Sequence, residues 1–230
     1  MENQNYWEDI YKAGAQLNRY PYDFVVTFIY RYFPRSKARE DIKILEIGSG
    51  AGNNLWFAAR EGFSVTGIDI SESAITFSRN RFKEEKLPGE FLVGDFTKIG
   101  FKNEFDIVLD RGSLSCVSYR QIQDSFDKIH TALSESGTFI FNGYSSEHAS
   151  ASCGEKSGDG LTKNITGGPL QGLNQLCFLD KEQVGALFPE EKWNIVEMQH
   201  VRSEDLLGSD VDDANKKTHA EWRIVAQKIG

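Results

Sequence analysis

The stretch Ile44-Leu45-Glu46-Ile47-Gly48-Ser49-Gly50-Ala51-Gly52-Asn53-Asn54 governs how the rest of the chain is read. A short apolar run of strand type ends in an acid and passes into glycines at every second position. Leu55-Trp56-Phe57-Ala58-Ala59-Arg60 then follows with the composition of a helix. Glycine permits left-handed dihedrals and lets a ligand lie directly on backbone, and the helix N-terminus behind it offers unpaired N–H groups. Twenty-one residues beyond Gly48, at the end of the next apolar run Val65-Thr66-Gly67-Ile68-Asp69, stands an acid placed to accept hydrogen bonds from a ribose. Strand, glycine turn, helix and strand-end acid in this order predict a nucleoside-containing cofactor.

The spacing bears on which cofactor. The dinucleotide fingerprint G-x-G-x-x-G seats a pyrophosphate on the helix N-terminus. Here the third glycine falls one place early, position 53 is Asn, and the charge of Glu46 would oppose a pyrophosphate. At these residues the chain resembles the class I S-adenosylmethionine-dependent methyltransferases. The resemblance continues through Asp69, Val93-Gly94-Asp95-Phe96 and Phe105-Asp106-Ile107-Val108-Leu109-Asp110, covering residues 40–145 and, more loosely, 178 onward. It implies an α/β fold: a Rossmann-like, doubly wound, mostly parallel seven-stranded sheet with an antiparallel C-terminal edge strand and helices on both faces. It implies S-adenosylmethionine as cofactor and S-adenosylhomocysteine as product. It also implies roles: Gly48, Gly50 and Gly52 border the amino-acid portion, Asp69 holds the ribose, Asp95 accepts from the adenine amine with Phe96 beside the ring, and Ile70 covers its other face. Asp110 and Arg111 then lie near the methyl donor, and Glu46, Ser49, Asn53 and Trp7 complete the expected cofactor set. Four acids (Glu46, Asp69, Asp95, Asp110) converging on the carboxyl ends of strands are costly unless a cation or several donors meet them. The other reading of any one acid, most readily Glu46, is a helix cap or surface ion pair; Arg111 too has such a reading.

Composition narrows the function classes. The 230 residues, 40% hydrophobic and 26% charged, fit one globular domain with a substantial core. A net charge of −8 without a Lys/Arg cluster argues against nucleic acid as a partner. Three scattered cysteines (Cys116, Cys153, Cys177) suit neither a zinc motif nor a disulfide framework and read as thiols of a reducing compartment, so no metal is expected. The polar start Met1-Glu2-Asn3-Gln4-Asn5 has no apolar signal stretch, and no apolar run reaches membrane-spanning length. A cytoplasmic protein, monomeric or homodimeric and without membrane contact, is the expectation.

Periodicity orders the elements. Phe24, Val25, Phe28, Ile29, Tyr32 and Phe33 form one helical stripe over 22–33, closed by Pro34. Strand 42–47, helix 52–61, strand 64–69, helix 72–86 (N-cap Ser71), strands 90–94 and 104–110, helix 121–133 and strand 138–142 then alternate, which predicts a parallel sheet covered on both faces. In the tail, Lys181–Leu187 reads as a helix and Trp193–Met198 and Ala220–Gln227 as strands. The domain divides into an N-terminal helical cap (1–36), a cofactor-binding core (42–143), a substrate loop or lid (145–176) and a C-terminal helix and hairpin (178–230). The glycine-rich stretch 145–176 is poor in apolar residues and without period, so it reads as an irregular lid, mobile without ligand and hinged at Gly158, Gly160, Gly167 and Gly168. The aromatic segment Tyr6-Trp7-Glu8-Asp9-Ile10-Tyr11 has two readings, a cap over the cofactor or packing that anchors the N-terminal helices.

Methyl transfer is an in-line displacement dominated by alignment, and a hydroxyl or ammonium acceptor additionally needs a base. Asp110, His148 and Tyr144 are the catalytic candidates. His148, just past strand 138–142, would open onto the crevice as a base; a solvent-facing loop histidine is the other reading. His130 reads as structural, His200 and His219 as tail residues without a role, and Cys116 as a buried thiol. The expected activity is methyl transfer to an oxygen or nitrogen of a small-molecule acceptor. A non-catalytic S-adenosylmethionine-binding sensor or partner subunit and an NAD(P)-dependent oxidoreductase are the alternatives. No Asn-Pro-Pro-Tyr-type motif follows the fourth strand, where Asp110-Arg111-Gly112-Ser113 stands instead.

Overall fold

The structure, a computed structural model, describes residues 2–204 and 218–230. Seven strands form the central sheet: β1 (Lys43–Ile47), β2 (Ser64–Asp69), β3 (Glu90–Val93), β4 (Phe105–Arg111), β5 (Leu133–Tyr144), β9 (Trp193–Ser203) and β10 (His219–Lys228), in the order β3-β2-β1-β4-β5-β10-β9. The strands β3 to β5 are parallel, and β10 inserts antiparallel between β5 and the edge strand β9. The antiparallel strand therefore lies one place in from the edge. The helices α1 (Glu2–Lys12), α2 (Asp23–Tyr32), α3 (Asn53–Arg60), α4 (Glu72–Glu84), α5 (Tyr119–Ala132) and α6 (Lys181–Leu187) complete the fold.

Strand alternation splits the core into two clusters. Leu45, Ile47, Phe139 and Phe141 pack with Phe126 of α5, Phe188 and Trp193. Ile44, Ile107, Leu109 and Ile140 face the other way, onto Phe24 and Phe28 of α2, Leu55 of α3 and Ile75 of α4. The expected α2 stripe is buried at Phe24, Val25, Phe28, Ile29 and Phe33, with Tyr32 half-buried. Ser118, whose side chain accepts from the Gln121 amide in a reciprocal capping box, starts α5 two residues before the expected position. Several strands outrun the expected bounds, β5 most of all, because Leu133 already pairs with Phe105. Part of the expected tail, 205–217, lies outside the described residues.

The stretch 145–176 differs from the irregular loop its composition predicts. It holds a three-stranded antiparallel sheet of β6 (Glu155–Lys156), β7 (Leu161–Lys163) and β8 (Gln175–Cys177). Its few apolar residues are well spent: Ile165 and Leu176 are buried with Tyr144, Ala151 and Phe178, and Leu170 and Leu173 pack against them. Gly168, an expected hinge, is wedged so that a Cβ there would stand 2.5 Å from Ser150 Oγ. Gly158 has open space around it.

Candidate active site

In an open α/β sheet, ligands lie beyond the carboxyl ends of the strands where the winding reverses. Here β1 has β2 on one side and β4 on the other. A cavity of about 340 Å³ opens there, walled by the turn after β1, the ends of β2, β4 and β5, the segment after β3, α1 and residues 170–176.

The glycine turn forms its floor. Gly48, Gly50 and Gly52 have φ of +60°, +51° and +69°, left-handed values that explain glycine at alternate positions. A side chain at Gly48 would collide with Ser113, and one at Gly50 with the Tyr11 hydroxyl. The Gly50 amide donates to Asp69 Oδ2 at 2.8 Å and the Ser71 amide to Oδ1 at 2.9 Å, so Asp69 ties the turn to the start of α4. Asp69 is buried, which raises its pKa, while a lone pair on each oxygen remains for a ligand. Gly52 lies behind this floor, at the N-cap of α3 against Ser78, and is not part of the cavity wall.

Glu46 is almost wholly buried at the wall. Its Oε1 accepts from Asn54 Nδ2 at 2.7 Å, while Oε2 has no hydrogen-bond partner. Burial first, then the neighbouring Asp110 and Asp69 charges, push its pKa up to about 8 against the pull of Asn54. Asn54 Oδ1 accepts from the Tyr22 amide (3.1 Å) and Asn53 Nδ2 donates to the Tyr20 carbonyl (2.9 Å), so the two asparagines strap residues 20–22 over the turn.

Just after β3, Asp95 Oδ1 accepts from the Thr97 amide (2.9 Å) and hydroxyl (2.7 Å), and Lys98 pairs with Oδ2 at 3.1 Å. Partial burial pushes its pKa upward, but the Thr97 and Lys98 bonds outweigh this and hold it low. Ile70, Phe96, Ser49, Asn53, Arg111 and Trp7 all line the same cavity. α1 closes one side: Glu8 accepts from Ser71 Oγ (2.7 Å), the Ser73 amide (3.1 Å) and Ser73 Oγ (2.5 Å) at the start of α4. Tyr6 donates to the Gly172 carbonyl at 2.9 Å, joining α1 to the 145–176 segment.

Two of the three catalytic candidates are not in the wall. Asp110 is fully buried, and its Oδ1 accepts from the amides of Ser113 (2.9 Å) and Leu114 (3.0 Å), which fixes the turn after β4. Burial pushes its pKa up to about 7. Strand alternation turns Arg111, not Asp110, to the cavity.

His148 is neither an open base nor a solvent-facing residue: it is buried behind Tyr144, ring centroids 5.6 Å apart. Its Nδ1 accepts from the Ser150 amide at 3.0 Å, which leaves Nε2 as the protonated nitrogen facing His219 Nδ1 at 3.2 Å. His219 Nε2 in turn faces Glu221 Oε2 at 3.1 Å, and Arg223 Nε donates to Glu221 Oε1 at 2.5 Å. Burial, then the His219 charge, lower the His148 pKa to about 4. Glu221 is held at about 2 because bonds from His219, Arg223 and Asn142 outweigh the upward push of burial. The histidines expected to have no role in the tail thus include one that orients His148.

Tyr144 does line the cavity; burial raises its pKa, and its hydroxyl lies 3.5 Å from an Arg111 terminal nitrogen. Cys116 lines it too, with its thiol pushed by burial up to about 12. Wall residues that the sequence did not mark include Tyr22, Leu170, Leu173 and Leu176, whereas Tyr11 belongs to the aromatic segment with a cap reading. Asn54 directly follows Asn53 in the first turn of α3.

These features are those of a cofactor site that accepts a cation: a glycine floor, a ribose-type acid and an unpartnered buried carboxylate oxygen. The methyltransferase domain family profile matches residues 44–137. Over these residues the chain is similar to S-adenosylmethionine-dependent methyltransferases. It is 26% identical over 150 residues to a putative methyltransferase of Geobacillus sp. (strain WCH70), covering 63% of this chain and 57% of that protein. It is 28% identical over 155 residues to EEF1A lysine methyltransferase 2 of Danio rerio, covering 63% and 66%. The chain therefore spans less than two thirds of either relative. Among solved structures, the fold is similar to that of the 1,6-didemethyltoxoflavin-N1-methyltransferase of Burkholderia thailandensis, whose structure holds 1,6-didemethyltoxoflavin and S-adenosylhomocysteine. The TM-score is 0.70 at 15% identity, over 99% of this chain and 87% of that one.

Proposed function

We propose that this protein methylates an oxygen or nitrogen of a small-molecule acceptor in the cavity beyond β1 and β4. The observation that carries the proposal is the pairing of the unpartnered Glu46 Oε2 with a cavity of about 340 Å³ lined in part by α1 and residues 170–176. The first suits the α-ammonium of S-adenosylmethionine; the second has the size of a small-molecule site. S-adenosylmethionine, when bound, supplies the methyl group on its sulfonium. Asp69 accepts from the ribose hydroxyls, Asp95 and Phe96 hold the adenine, and the Gly48–Gly50 backbone carries the amino-acid portion. Trp7, Tyr11 and Tyr22 exclude water from the reacting centre, where alignment provides most of the acceleration. Asp110 acts as a positioning residue, since it fixes the turn that carries Arg111 and Ser113. Among the described residues no helix is long and apolar enough to cross a membrane.

A second reading is protein lysine methylation, the activity named for the Danio rerio relative. Arg111 at the wall opposes it, because a guanidinium repels a lysine ammonium. The test is incubation with methyl-labelled S-adenosylmethionine and a cell extract divided by ultrafiltration into small molecules and protein. Label is expected in the small-molecule fraction. Label in protein alone overturns the acceptor class, and failure to bind S-adenosylhomocysteine overturns the cofactor.

A further inference from the structure

Along the carboxyl edge of the sheet, from β3 through β2 and β1 to β4, the charged wall residues are Asp95, Asp69 and Glu46, followed by Arg111. The cavity is bipolar. Its acidic half suits a cationic cofactor, and its other half contains one cation, Arg111, beside Tyr144, which clusters with the apolar residues Leu170, Leu173, Leu176 and Cys116.

No carboxylate pairs with Arg111 among the described residues. Its guanidinium lies over the Tyr22 ring, 3.8 Å from the centroid, and a terminal nitrogen is 3.5 Å from the Tyr144 hydroxyl; Nε is buried without a partner. Three carboxylates, Glu221, Glu46 and Asp110, act on it through Coulomb attraction, but none forms an ion pair with it. Glu221 gives one oxygen to Arg223 (2.5 Å) and the other to His219 (3.1 Å). Asp110 lies on the opposite face of β4 and accepts from the Ser113 and Leu114 amides. Glu46 is bonded to Asn54. A guanidinium largely out of water has no ion-paired carboxylate here, and its planar fork matches a carboxylate with two parallel hydrogen bonds.

We propose that Arg111 and the Tyr144 hydroxyl form an anion subsite that binds a carboxylate of the methyl acceptor, so that the acceptor is a small organic acid. This rests on the methyl-transfer reading above. One cation matches one negative charge, which favours a carboxylate over a doubly charged phosphate. The apolar wall around Arg111 takes the hydrocarbon body of the acid. The α-carboxylate of the cofactor has the same chemistry, and the test separates the two sources.

Benzoate and hexanoate, with benzamide and benzylamine as neutral and cationic counterparts, are titrated by ligand-observed NMR against the S-adenosylhomocysteine complex of wild type, R111M and R111K. S-adenosylhomocysteine affinity is measured calorimetrically for each protein, and folding is checked by thermal unfolding. Either acid is expected to bind wild type at least tenfold more tightly than the amide or amine. R111M should abolish that preference and R111K retain part of it, with S-adenosylhomocysteine affinity changed less than about threefold. Binding of neither acid, equal binding of acid and amide, or preference for the amine overturns the proposal. So does a tenfold loss of S-adenosylhomocysteine affinity in folded R111M, because Arg111 would then serve the cofactor's own carboxylate. Failure of wild type to bind S-adenosylhomocysteine would instead overturn the methyl-transfer reading.

Discussion

Replacing Glu46 by Gln should make the ligand-free protein more stable and its cofactor site worse. Glu46 is desolvated, with one oxygen served by Asn54 and the other by no protein group, and its pKa is about 8 instead of 4.5. A carboxyl whose folded-state pKa is raised favours its neutral form in the folded protein. Below pH 4.5 it costs nothing; as pH climbs toward 8 the unfolded chain ionises freely while the folded one resists, so stability falls. At about 1.4 kcal/mol per tenfold change in proton affinity, the cost is roughly 3 kcal/mol at pH 7 and approaches roughly 5 kcal/mol above pH 8. The Gln amide keeps the acceptor that Asn54 uses and carries no charge, so most of this cost should vanish.

Thermal unfolding of wild type and E46Q from pH 5 to 8.5 measures the effect. The two should be close at pH 5 and diverge with rising pH, by roughly 6–12 °C at pH 7 for a chain of this size. S-adenosylhomocysteine should bind E46Q about ten- to a hundredfold more weakly, the worth of a hydrogen bond to a charged group. A gap that stays constant with pH, or an E46Q protein less stable than wild type at pH 8, would refute the assignment of a buried, reluctantly ionised Glu46. Unchanged affinity in a stabilised E46Q would leave the pKa argument standing and remove the ammonium contact.

Three further outcomes follow from the site. Asp69→Ala removes the acceptor for the Gly50 and Ser71 amides as well as for the ribose, and calorimetry should find S-adenosylhomocysteine binding weakened at least tenfold, with no measurable NAD binding in wild type. Glu8→Ala cuts three bonds that hold α1 to the start of α4, so proteolysis near Lys12 should accelerate and cofactor dissociation quicken, while the thermal midpoint moves only a few degrees. His148→Gln should lower stability by about 1–3 kcal/mol through the broken His219 contact. It should also flatten the fall in stability between pH 6.5 and about 4, since a histidine held neutral by burial loses stability as acid charges it. Activity recovered at high pH in that variant would instead restore His148 as the base.

How much of this was legible in the sequence depended on how local each determinant is. The glycine turn and the α2 stripe each rest on residues within a few positions of one another, and there the spacing sufficed. Asp110 was misread by a single residue: the strand end was recognised, but β4 runs on to Arg111, and with a period of two that step reverses which side chain meets the cavity. The His148–His219 contact joins residues 71 apart and the Tyr22–Asn54 bond residues 32 apart, separations that no pattern within one element encodes. The strands of 145–176 are two or three residues long, too short to display alternation.

The polar groups left unsatisfied fall where a ligand would meet them. Native interiors contain few buried polar atoms without a partner. Those found among the described residues are on Glu46, Ser49, Arg81, Asp110 and Arg111. All but Arg81 belong to the glycine turn or the adjacent ends of β1 and β4. Unsatisfied groups spread by chance would not favour two neighbouring strand ends out of the ten strands and six α-helices of the described residues. Nor does the neighbourhood lack donors and acceptors: Asn54, Ser113, Tyr144 and several backbone amides are already engaged there, each with a protein partner. The remaining deficit has a pattern, carboxyl oxygens at Glu46 and Asp110 and a guanidinium nitrogen at Arg111. A cationic cofactor and an acidic acceptor relieve both at once, and the stability forgone in the empty state becomes binding energy directed at the two charges.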